Sequence, residues 1–114
     1  MTDQRLLTLS VKPSMEEELV DWFLCHDYLG FSTWPAYSVG VSPDSMSLSE
    51  QVAGQQRRII FKIHGVETYL NQCMENLAKS YPNADIYFWL HPLIRTGCLK
   101  TWNSGDEMGG VQQK

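Results

Sequence analysis

Arg57-Arg58-Ile59-Ile60-Phe61-Lys62-Ile63-His64-Gly65 is the stretch on which the fold turns. Ile59, Phe61 and Ile63 recur at every second place, and Arg58, Ile60, Lys62 and His64 fill the places between. Successive side chains of an extended chain point to opposite faces, so this period puts the three largest apolar groups on one face of a strand. Gly65 is expected to break that strand. Beyond it the period changes: Val66, Leu70, Cys73 and Leu77 stand three or four apart, which predicts a helix over 66–80 with that stripe buried. Pro82-Asn83 separates the helix from a last strand over 85–93, where Ile86, Phe88 and Leu90 alternate with Tyr87, Trp89 and His91.

Working back from Arg57, residues 31–39 read as another strand, rich in aromatic and hydroxyl residues and ended by Gly40. Pro35 has no N–H for a ladder, which predicts an edge position or a bulge. Residues 6–11 form a short first strand. Met15, Leu19, Val20, Phe23 and Leu24 then mark an amphipathic helix over 15–26. Ser14 and Glu17 have the spacing of a capping box at its start, and the early glutamates suit the positive helix end. The order is strand, helix, strand, strand, helix, strand. That is an α+β, ferredoxin-like βαββαβ sandwich: a four-stranded antiparallel sheet with both helices on one face. Residues 1–102 are expected to form this one domain, with a short extra strand near 97–102. Residues 103–114, with three glycines and no apolar pattern, are expected to be a flexible tail.

Composition narrows the function. A chain of 114 residues, 43% hydrophobic and 19% charged, suits one globular core rather than a disordered chain. No apolar run approaches the roughly 20 residues of a bilayer span. A net charge of -4 argues against non-specific nucleic-acid binding, which needs a basic field. Cys25, Cys73 and Cys98 are an odd number at wide spacing with no CxxC, so they read as thiols of a reducing cytoplasm. The first residues lack the basic start and apolar stretch of a signal peptide. With no GxSxG, P-loop, GxGxxG or HExxH, catalysis is not expected. Cys25 and His26 are helix neighbours whose side chains point about 100° apart, a poor nucleophile–base pair.

Two features go beyond the fold. Helices cover one sheet face, yet Trp34, Ile60, Tyr87 and Trp89 are expected on the other. A soluble monomer rarely leaves such a patch in water, so either copies associate across it or the C-terminal residues fold back over it. The second feature is the connection over 41–56, far longer than the two to five or so residues of an ordinary hairpin. Ser47-Leu48-Ser49-Glu50 offers a capping box inside it. The segment is either a solvated excursion or a contact loop for an effector or partner.

Three stretches carry a resemblance. They are Gly30-Phe31-Ser32-Thr33-Trp34-Pro35, the run from Leu48-Ser49-Glu50-Gln51-Val52-Ala53-Gly54-Gln55-Gln56 into Arg57-Arg58, and Tyr87-Phe88-Trp89-Leu90-His91-Pro92 with Thr96-Gly97. In these the chain resembles a bacterial family known as domain of unknown function 3240, which is grouped with the nitrogen-regulatory PII-like proteins. The resemblance implies a homotrimer with inward-facing sheets. It also implies a regulator or sensor that signals through the long loop to a membrane transporter or enzyme, with a link to heavy-metal efflux or homeostasis. Similar trimers of the CutA type imply an alternative, a divalent-metal-binding protein. The chain departs from the PII pattern at Tyr81-Pro82-Asn83-Ala84-Asp85. That turn has no glycine, and Asp85 would repel an anion, so the nucleotide-phosphate site of PII proteins does not carry over. The loop also lacks a tyrosine that could be modified.

The candidate site residues fall in two groups. Arg57, Arg58 and Arg95 could grip the phosphate or carboxylate of a small-molecule effector bidentately, with Gln51, Gln55 and Gln56 as amide partners and Glu50 and Gly54 in the same loop. Alternatively the arginines pin the loop base through Glu50 or Asp44. For a metal, His91 and His64, expected on the uncovered face, would be multiplied by a trimer axis, with Cys25 and His26 as a further pair of ligands and Cys98 and Met46 as other soft ligands. Alternatively His91 bonds within an interface and Cys73 simply packs in the core.

Overall fold

The computed structural model describes residues 3–39 and 46–102. Its elements are β1 (Gln4–Val11), α1 (Glu16–Cys25), β2 (Ser32–Val39), α2 (Leu48–Ala53), β3 (Gln55–Val66), α3 (Glu67–Ser80) and β4 (Tyr87–Pro92). Short 3-10 turns at Pro13–Met15 and Leu99–Thr101 flank them. The four strands form one open antiparallel sheet in the order β2-β3-β1-β4. β2 is therefore an edge strand, which is where Pro35, opposite Ile59, can sit without costing a ladder bond.

The chain clusters into two compact units. The larger holds residues 8–63 and 83–88. Its core joins Leu9 and Val11 of β1, Leu19, Trp22 and Phe23 of α1, Tyr28, and Ile59, Phe61 and Ile63 of β3. Phe23 is its hub. Its ring centroid lies 5.5 Å from Trp22, 4.9 Å from Phe31 and 5.5 Å from Phe61, all tilted or edge-on. Such geometry sets the positive ring edge against the negative ring face. The smaller unit holds residues 1–7, 64–82 and 89–114, and its buried side chains are Leu7, Leu70, Cys73 and Leu77.

Several expected details change. The capping box at Ser14 does not form. Pro13, with its φ fixed near the helical value, starts a 3-10 turn, so Ser14 lies inside the turn and Met15 precedes α1 without a side-chain cap. On α1 the buried stripe uses Trp22, while Leu24 is half exposed. β3 does not break at Gly65 but runs to Val66, which stands at the N-cap of α3 and is exposed rather than part of the stripe. A side chain at Gly65 would place its Cβ 2.6 Å from Tyr69 Cδ2, so the absence of one lets the Tyr69 ring lie against this backbone. The segment near 97–102 forms a 3-10 turn, not a strand. The expected tail, 103–114, lies outside the described residues.

Removing the hub tests this packing. Phe23→Ala is expected to cost about 3–5 kcal/mol in urea unfolding, whereas Leu24→Ala stays within about 1 kcal/mol. Equal losses would contradict the stripe.

Candidate functional site

The second half of the long connection is ordered by one carboxylate. Ser47 has the extended backbone of an N-cap (φ -68°, ψ 167°), and its Oγ accepts from the Glu50 amide at 3.3 Å. Glu50 reaches back, its Oε1 accepting from the Ser47 amide at 3.0 Å. The capping box read from Ser47 to Glu50 is therefore present. Glu50 does more than close the box. Its Oε2 accepts from the main-chain N–H of Arg57 at 3.2 Å, tying α2 to the start of β3. These amides, Ser47 first and then Arg57, hold the Glu50 carboxyl below the usual carboxylate range. Gly54 ends α2 in the left-handed region (φ 73°), its N–H donating to Glu50 and Gln51 carbonyls. Gln51 Nε2 donates to the Met46 carbonyl at 3.2 Å.

This clamp forms one wall of an open groove of about 400 Å³, lined by Lys12, Pro13, Ser14, Met46, Ser47, Glu50, Gln56 and Arg57. The opposite wall exists because Lys12-Pro13 forces Lys12 into extended backbone (φ -70°, ψ 147°) before the 3-10 turn. Of the expected loop residues, the groove gathers Glu50, Gln56 and Arg57. Gln55, exposed at the start of β3, and Arg95, whose guanidinium lies over the Trp102 ring at 4.9 Å, are not among its lining residues.

Arg58 takes a different part. It is 2% exposed. Its Nε donates to Ser10 Oγ at 2.9 Å, and Nη2 donates to the carbonyls of Ser10 at 2.7 Å and Asp85 at 3.1 Å. Nη1 pairs with Asp85 Oδ2 at 3.4 Å, and the Tyr87 ring lies 5.4 Å from the guanidinium. Arg58 is thus a buried fastener whose carboxylate is Asp85, not Glu50. The Glu50 link to the loop base forms through the Arg57 main chain, and Asp44 lies outside the described residues.

The metal candidates have the following surroundings. His64 on β3 is exposed and bonds Gln4 Oε1 at 3.3 Å. His91 is exposed on β4. His26 caps α1, its Nδ1–H donating to the Trp22 carbonyl at 2.9 Å and its ring stacked on Trp22 at 4.2 Å. Among the described residues no three His, Cys, Asp or Glu side chains gather where an ion could sit. Cys73 is buried, and burial pushes its thiol up to about 12, whereas Cys25 and Cys98 are exposed. No helix of the described residues is long and apolar enough to cross a membrane.

Lys12, Ser14 and Met46 were not singled out from sequence as groove residues. Lys12-Pro13 was the available signal, since a residue before proline is held extended. Asp85, in the turn before β4, is the carboxylate that answers Arg58.

Two measurements probe this region. As pH falls, the Ser47 and Arg57 amide resonances should shift together, with one midpoint below that of an ordinary glutamate, because a depressed carboxyl holds its clamp at higher pH and releases it on protonation. Glu50→Gln should abolish that step. Separately, brief alkylation at pH 8 should label Cys25 and Cys98 and spare Cys73 until denaturant is added; labelling of all three in the native protein would refute its burial.

A family model described as "Protein of unknown function (DUF3240)" matches residues 1–100. Among solved structures, the chain is similar to the 2.40 Å crystal structure of a DUF3240 family protein from Shewanella baltica OS155. That protein is 19% identical with a TM-score of 0.68, over 87% of this chain and 99% of that one. At that identity the likeness concerns the fold. No curated protein matches the chain.

Proposed function

The chain belongs to the DUF3240 family of proteins of unknown function, and from that premise we propose that it is a non-enzymatic, homotrimeric regulator of the PII-like kind, acting through residues 41–56. The observation that carries the reading is on β4. Tyr87, Phe88 and Trp89 stand consecutively on an edge strand and are 55%, 59% and 55% exposed. Adjacent strand residues face opposite ways, so this strand is apolar on both faces, and among the described residues one of its edges is unpaired. Trp34 on β2 is likewise exposed, covered in part by Lys62, whose Nζ lies 5.2 Å from the ring centroid. Single exposed apolar residues need no explanation, but contiguous aromatic surface marks a contact with another chain.

The strand order β2-β3-β1-β4, with α1 and α3 as the crossovers, supports reading the chain as a ferredoxin-like βαββαβ fold. A second copy is the simplest cover, and closed symmetry is its usual outcome. The resemblance to PII-like proteins supports three copies and a partner among the components of heavy-metal efflux. The clamped foot of the 41–56 segment supports a role in contact, because Glu50 fixes where that segment rejoins the sheet.

Sedimentation at micromolar concentration should give three times the chain mass. Tyr87→Arg with Trp89→Arg should give monomers of unchanged circular dichroism, and Leu24→Arg on the solvent side of α1 should remain trimeric. A monomeric wild type would overturn the assembly.

A further inference from the structure

We propose that the groove between Lys12-Pro13-Ser14 and the Ser47–Glu50 turn is a binding site for a small, multiply charged anion, gripped by Lys12 and Arg57. The inference deepens the regulatory reading by giving the regulator a ligand class. Among the described residues the groove is lined from within 12–14 and 46–57, in the larger compact unit of one chain.

Charge is the first argument. The chain carries 13 acidic and 9 basic side chains, so an acidic surface would be the default. Yet two cations converge on this groove and one carboxylate does. Among the described residues the ion pairs are Arg5 with Asp3, Arg5 with Glu67, and Arg58 with Asp85; neither Lys12 nor Arg57 belongs to one. Glu50, the carboxylate of the groove, has its two oxygens on the amides of Ser47 and Arg57. Lys12 lies near enough to stabilise the ionised Glu50, but that attraction is the weakest of those acting on it. Among the described residues the lining therefore keeps one net positive charge, and its carboxylate is bonded to the backbone.

Chemistry and size give the second argument. A guanidinium offers paired, planar donors and an ammonium a compact charge, and together they suit phosphate or carboxylate oxygens. Ser14 caps no helix, and it lines the groove together with Ser47. Pro13 and Met46 supply apolar wall for a short carbon skeleton. About 400 Å³ is within the range of small-ligand sites and far too small for a macromolecule. A metal cation would meet two positive side chains and a carboxylate already bonded.

The test is titration of the full chain by amide NMR with sodium pyrophosphate and, separately, sodium succinate, against sodium chloride of equal ionic strength. Saturable shifts confined to residues 12–14 and 46–57 are expected for at least one probe, and the tighter probe identifies phosphate or carboxylate as the preferred group. Lys12→Gln and Arg57→Gln should each weaken binding about tenfold or more. Lys12→Arg should retain it, and Lys79→Gln, on α3, should leave it unchanged. Arg57→Gln keeps the main-chain N–H that Glu50 uses, so circular dichroism and the Ser47 amide report that the clamp survives. Absence of saturation with both probes, or an equal loss in Lys79→Gln, would overturn the site. Because one chain builds the groove, this outcome is independent of the mass found by sedimentation, and either reading can fail alone.

Discussion

A guanidinium buried in a sheet must have every direction of its charge answered, and in this protein the burial of Arg58 governs how the larger unit is put together. Removing such a group from water costs several kcal/mol unless its donors find acceptors in good geometry. Ser10 supplies a hydroxyl and a carbonyl from β1, and Asp85 supplies a carbonyl and a carboxylate from the approach to β4. The planar fork therefore fixes three separate pieces of chain at once: the end of β1, the start of β3 and residues 85–87. The Tyr87 ring beside the guanidinium shields it further. Phe23 and its neighbours fill the apolar side of the unit, while Arg58 sets the register in which they can do so.

Much of the fold was legible because periodicity reports burial directly. Ile59, Phe61 and Ile63 alternate in the sequence and are buried together, and Leu70, Cys73 and Leu77 recur at helical spacing and are buried together. Pro35 pointed to an edge or a bulge, since a missing N–H is a local fact, and its strand is an edge. Ends and transitions were less legible. Ser14 has the right spacing for a cap but the wrong backbone, because Pro13 had already begun a turn. Whether Gly65 ends a strand or lets it pass close to an aromatic ring depends on Tyr69, which lies on the next element.

The candidate site shows the same division. Ser47 and Glu50 are three residues apart, so their mutual capping could be read locally. The third bond of Glu50, to the Arg57 amide, could not, because it depends on how far the chain folds back between them. Arg57 and Arg58 look equivalent in the sequence. Strand alternation sends one to the groove and the other into the sheet face occupied by Ser10, so neighbouring arginines acquire unlike surroundings. Asp85 and Arg58 are 27 positions apart, and no periodic pattern connects them.

The passage from β3 into α3 has a consequence for how this chain can vary in length. Val66 closes the strand and caps the helix, so no spacer stands between them, and Tyr69 occupies the room that a side chain at Gly65 would need. One inserted residue would turn the Leu70, Cys73 and Leu77 row by about 100° about the helix axis. A connection such as the one between β2 and α2 pays only a slowly growing closure entropy for extra residues. Divergence in size should therefore collect there, and the corner at Gly65 should keep a constant count of residues.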